Sequence, residues 1–85
     1  MDRAKRQQNE RTFGQWDELP DGRRRYHYEV QGRSGWSARY VKDVDASEMT
    51  VRFVQEIYDQ NGRLRNVHQK YPVDLGHQTT GGEEP

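Results

Sequence analysis

Eighty-five residues make one small domain at most, too short to build a large enzyme with a deep cleft. The chain has no cysteine and no apolar run near twenty residues, which excludes a disulfide scaffold, a zinc ribbon and a membrane-spanning helix. Its 14 basic and 14 acidic side chains cancel, so no long-range field draws in a polyanion or an anionic membrane surface.

Residues 1–11 carry Arg3, Lys5, Arg6 and Arg11 against Asp2 and Glu10. They show neither the apolar run of a secretory signal nor an apolar stripe for docking a helix. The segment reads as a flexible basic arm, and a cytoplasmic location is the expectation. Leu, Ile, Val and Phe number only 13 of 85, a level that favours disorder when net charge is high. Here the net charge is zero and every aromatic residue falls between Phe13 and Tyr71, which places a folded β domain over residues 12–75.

Within that domain the apolar period is two, and turn signals recur at short intervals. Strands are expected at 12–18, 24–31, 36–43, 49–58 and 64–71. Tyr26, Tyr28 and Val30 alternate with polar residues in the second, and Trp36, Ala38 and Tyr40 in the third. In the fourth, Met49, Val51, Phe53 and Ile57 do so. The punctuation is Pro20-Asp21-Gly22, Gly32 to Gly35, Asp45 to Glu48 and Asn61-Gly62, with glycine supplying the positive φ of hairpin turns. A three-residue type I loop closed by a glycine bulge at Pro20-Asp21-Gly22 sets Glu18 opposite Arg24, Asp17 opposite Arg25 and Trp16 opposite Tyr26. These are two charge pairs and an aromatic pair. The same turn at Asn61-Gly62 sets Tyr58 opposite Leu64 and Val54 opposite His68. Val73 and Leu75 then cover a sheet edge after Pro72, which ends strand pairing. Residues 76–85 read as a disordered acidic tail.

The expected fold is therefore an all-β antiparallel meander of about five strands, strongly twisted or closing into a small barrel, with disordered termini. Both faces of such a sheet carry apolar groups, and a core this small supplies only a few kcal/mol. Association through a face or an edge strand is the natural supplement. The reading that follows is a small non-enzymatic interaction module that binds a protein partner or itself, and no cofactor is implied.

Arginine outnumbers lysine eleven to three. Arg24, Tyr26, Tyr28, Trp36, Arg39 and Tyr40 on the second and third strands are the candidate binding residues. Aromatic rings beside guanidinium groups on a sheet are the ingredients of a single-stranded RNA surface, which makes RNA binding the alternative reading. For Tyr26, Tyr28, Trp36 and Tyr40 the competing assignment is the hydrophobic core itself, whereas Arg39 lies on the reverse face. If the alternative extends to cleavage, His27, His68, Arg52, Glu56 and Arg65 supply the residue types of a metal-independent endoribonuclease. In kind this set resembles that of the small antiparallel-sheet toxins of the RelE group, although the two packed N-terminal helices expected there are missing. Tyr58 to Leu64 is similar to a single YD-type hairpin of Rhs and teneurin shells, without a second copy to stack upon. The histidines, at 27, 68 and 77, are too widely spaced along the chain for a local ligand pair, and no metal site is expected.

Overall fold

Hairpin turns fix the architecture of this chain. A computed structural model describes residues 1–80. It contains a helix α1 (Arg3–Phe13) followed by strands β1 (Gln15–Glu18), β2 (Arg24–Gln31), β3 (Ser37–Val44), β4 (Thr50–Tyr58), β5 (Leu64–Tyr71) and β6 (Gly76–Thr79). The strands form one antiparallel sheet in chain order. The sheet does not close into a barrel; it is a single layer with the helix on one face.

The first hairpin has the register its charges call for, with Glu18 opposite Arg24, Asp17 opposite Arg25 and Trp16 opposite Tyr26. The Leu19 N–H donates to the Arg23 carbonyl at 2.9 Å. The loop itself departs from type I, because both Asp21 and Gly22 take positive φ (65° and 76°). An Asp tolerates this conformation better than most side-chain-bearing residues. Tyr58 does pair with Leu64, but an extra residue on β5 (Arg65) then shifts the ladder by one. Val54 consequently faces Gln69, and His68 faces Gln55 instead of Val54. Further extra residues sit at Lys70 on β5 and Val51 on β4. Bulges of this kind re-aim side chains without any mark in the apolar pattern.

The basic arm expected at residues 1–11 is instead part of a helix. Asp2 caps its start by accepting from the Lys5 N–H at 3.1 Å. Gly14, at φ 79°, ends it by donating to the Glu10 carbonyl at 2.9 Å, the usual left-handed stop. A helix of this length is marginal alone, and it holds because Phe13 inserts among the sheet's aromatics. Its ring centroid lies 5.4 Å from Tyr28, 5.7 Å from Tyr26 and 6.2 Å, edge-on, from Phe53. With Val44 and the half-buried Tyr40, these rings are the core on that face. On the reverse face the buried Val41 and Val54 oppose each other. The Arg25–Asp43 and Arg39–Glu56 ion pairs flank them, and the long stems of such side chains shield apolar surface.

The C-terminal segment also differs from its reading. Gly76–Thr79 pairs with β5 as an edge strand, and the Thr80 N–H donates to the Arg65 carbonyl at 3.1 Å. A polar edge strand needs no burial, so composition alone does not reveal it. Residues 81–85, the rest of the expected tail, lie outside the described residues. Val73 and Leu75 are exposed in the β5–β6 connection and cover nothing.

Because Phe13 is the apolar anchor of α1, Phe13→Ala should lower unfolding free energy by about 3–4 kcal/mol and reduce the helical circular-dichroism signal. Urea denaturation of both forms measures this, and an unchanged midpoint would contradict the anchoring role.

Candidate functional site

Where α1 meets the sheet, polar groups are buried together. Glu48 closes the β3–β4 turn at φ 73°, a position that glycine usually fills. Its residue is only 2% exposed. The carboxylate accepts a short hydrogen bond from the Tyr26 hydroxyl, one from Arg6 Nε at 3.1 Å and one from Asn9 Nδ2 at 3.4 Å. Burial alone would raise the Glu48 carboxyl, but the bonds from Tyr26, Arg6 and Asn9 bring it below the ordinary carboxylate value. Tyr26, 0% exposed, moves the other way: burial, then its bond to Glu48, pushes its hydroxyl up to about 12. Next to it Arg24 is buried under Trp16, with its guanidinium carbon 4.9 Å from the ring centroid. Burial disfavours that charge, yet hydrogen bonds to Glu10 (2.8 Å) and Glu18 (2.7 Å) outweigh it and raise the Arg24 pKa. Arg24 and Tyr26 thus serve the helix–sheet joint and offer no surface to a partner.

Beyond Phe13 the helix leaves the same face open. Tyr28 and Tyr40 stack there, with ring centroids 4.9 Å apart and planes 19° apart. The pleat continues this strip through Val30, Ala38 and Trp36, where Val30 is 47% and Trp36 is 36% exposed. The adjacent edge is open as well. β1 pairs only with residues Arg24 to His27, so half of β2, from Tyr28 to Gln31, has no outer neighbour among the described residues. The direction of the free groups follows from antiparallel alternation. Leu19 bonds to Arg23 across the outer ladder and Gly32 to Trp36 across the inner one. Odd-numbered residues of β2 therefore direct their N–H and C=O outward, leaving those of Glu29 and Gln31 unpaired on the edge.

Arg39 lies on the reverse face, 3.5 Å from Glu56. The five residues of the nuclease set do not converge. His27, Arg52 and Glu56 share the reverse face, but His27 sits 3.3 Å from Asp17. Arg52 donates to Gln69 at 3.2 Å, and Glu56 accepts from the Tyr58 hydroxyl at 2.9 Å. Arg65 bonds to Asp59 at 3.3 Å in the β4–β5 turn. His68 stands on the opposite face, 2.6 Å from Asp74. A depression of about 690 Å³ on the reverse face is lined by His27, Glu29, Arg39 and Tyr58. Arg6, Arg24, Arg25, Arg39, Arg63 and Arg65 each lie within 4 Å of a carboxylate, so most of the candidate RNA-facing charge is compensated within the chain.

One pairing lay beyond sequence reach. His68 and His77 come together, with ring centroids 4.5 Å apart and planes tilted by 56°, because β6 lies beside β5. His77 is also hydrogen-bonded to Asn66. Only recognition of the β5–β6 hairpin would have shown it. Among the described residues, no group of three or more His, Cys, Asp or Glu is arranged to hold a metal ion, and no helix is long and apolar enough to cross a membrane. Comparison with known proteins finds no family model, no curated protein and no solved structure that matches this chain.

The joint around Glu48 yields two stability predictions. Glu48→Ala should cost about 3 kcal/mol by stranding its partners. Glu48→Gly should be milder by about 0.5–1 kcal/mol because it relieves the positive φ; equal losses would discount the strain. The pH dependence follows from the two shifts. A depressed Glu48 stabilises the fold above its unfolded pKa of roughly 4.3, and that stability is lost as pH falls through the folded value. A raised Tyr26 stabilises fully below roughly 10 and loses this as pH rises toward about 12. Urea midpoints across pH should therefore fall at both ends, with Glu48→Gln flattening the acid limb and Tyr26→Phe the alkaline one.

Proposed function

We propose that this chain is a small interaction module that associates with a second copy of itself by extending its sheet across the open half of β2. The observation that carries the reading is the unpaired stretch from Tyr28 to Gln31, bordered by the exposed Val30 and Trp36. A free strand edge beside an apolar strip is a template for strand addition. A two-fold axis at Val30 fits the alternation of the ladder. It sets Glu29 of each copy opposite Gln31 of the other, both with outward main-chain groups, and Val30 against its own counterpart. Tyr28 then faces Gly32, which has no side chain to obstruct its ring. On the outer side, β1 ends opposite His27, so the incoming strand occupies the gap between β1 and the β2–β3 turn.

The contact is short, below the roughly 1,000 Å² expected of a stable interface, so the association should be weak and concentration-dependent. The RNA reading finds less support, since the guanidinium groups it needs are largely bound to the chain's own carboxylates.

Sedimentation velocity across a concentration series extending into the millimolar range tests the proposal. The wild type should shift from monomer toward dimer. Gln31→Pro should remain monomeric with an unchanged urea midpoint, because the proline removes an N–H that has no partner among the described residues of the monomer. A wild type that stays monomeric throughout, or a Gln31→Pro variant that dimerises equally well, would overturn it.

A further inference from the structure

The fold sorts the two kinds of cation. Among the described residues every ion pair within 4 Å involves an arginine or a histidine, and none involves a lysine. Yet Lys5, Lys42 and Lys70, the only lysines of the chain, come from α1, β3 and β5 toward the same end of the aromatic face, where Lys42 Nζ lies 6.0 Å from the Phe13 ring centroid. Lys42 lies directly opposite Phe53 in the β3–β4 ladder. Lys70 Nζ is 5.8 Å from the Phe53 ring centroid and 5.3 Å from that of Tyr40. Lys5 approaches from the helix, with Nζ 3.4 Å from Met49 Sδ.

Between α1 and the start of β4 lies an open cavity of about 570 Å³, within the range of small-molecule sites. Phe53, Met49, Tyr71 and Ala4 give it apolar walls, and Lys5 and Lys42 supply its cationic groups. The two carboxylates on its wall are already engaged. Glu48 accepts from Tyr26, Arg6 and Asn9, and Asp2 caps α1. Lys42 donates to Asn9 Oδ1 at 2.9 Å and keeps further N–H groups for another acceptor. Burial lowers the Lys42 pKa; the Glu48 charge opposes this, and the like charge of Lys5 adds to the lowering. Two ammonium groups beside an apolar cavity, neither within 4 Å of a carboxylate among the described residues, complement an amphipathic anion. Lysine suits this role as a compact charge with rotatable donors.

We infer that this cavity binds a small amphipathic carboxylate, its apolar body against Phe53, Met49 and Tyr71 and its head between Lys5 and Lys42. The site lies at the end of the sheet away from Val30 and Trp36, so it stands or falls independently of self-association.

Titration with octanoate, 1-octanol and octyltrimethylammonium at low salt tests this, followed by calorimetry and by amide chemical shifts. Octanoate should move the amides of Ala4, Phe53 and Tyr71. Lys5→Gln, an exposed change that leaves the core untouched, should weaken its binding about tenfold, as expected for loss of one charged hydrogen bond. Lys42→Gln should do the same. Octanol should bind correspondingly less well and be indifferent to both variants, and the cation should not bind. The inference is overturned if millimolar octanoate leaves those amides unmoved. It also fails if octanol binds as tightly as octanoate, or if Lys5→Gln retains full affinity.

Discussion

A single buried carboxylate holds the two parts of this molecule together. Glu48 stands in the β3–β4 turn, but its partners come from β2 (Tyr26) and from α1 (Arg6 and Asn9). A charge out of water is tolerated only when its bonds are well formed, and here two of the three, those from Arg6 and Asn9, require the helix to sit where it does. The left-handed backbone at Glu48 is the geometric counterpart of this demand. It turns the side chain inward, where a glycine in the same turn would leave nothing to reach Tyr26. Phe13 supplies the apolar half of the joint and the Glu48 cluster the polar half, and Arg24 locks the far side through Glu10 and Glu18.

This joint also determines what stays open. The helix ends at Phe13 and turns at Gly14 into a strand of only four residues. The outer flank of β2 is covered over half its length, and the stacked Tyr28–Tyr40 pair runs out into an uncovered strip. At the opposite end the first turns of the helix stand over β4 and enclose the lysine-lined cavity. One placement of one helix thus leaves two surfaces of different chemistry, an apolar strip with free main-chain groups and a hollow with two lysines on its wall.

Much of the sheet was legible in the sequence because hairpin chemistry is local. Pro20-Asp21-Gly22 and Asn61-Gly62 set the ends of their strands, and the charge pairs of Glu18 and Asp17 fixed the first register. Contributions that come from distant residues were hidden. α1 has a single docking ring, so no apolar stripe announced it. Asp-Ala-Ser-Glu resembles a solvated turn, and nothing local shows that its last residue is buried. The bulge at Arg65 shifted His68 by one place, and the polar β6 lacks the alternation that betrays a strand. Among the candidate site residues, the ambiguity between core and surface resolves along the strands. Tyr26 belongs to the core, Tyr28 and Tyr40 lie at its margin, and Trp36 lies outside it.

The chain-order meander carries a kinetic consequence. Each strand pairs only with its sequence neighbours, so the sheet can zip hairpin by hairpin, the kind of low-contact-order assembly that is fast. The contacts of α1 with the β3–β4 turn are the exception, spanning 39 to 44 residues. Helix docking is the one long loop to be closed, and by the same logic it is the natural place for the native state to open first. Such an opening would free the Tyr26 ring and uncover Phe13 while the strands remain paired. In hydrogen exchange, the amides of α1 would then belong to a less protected unit than those of β3 and β4.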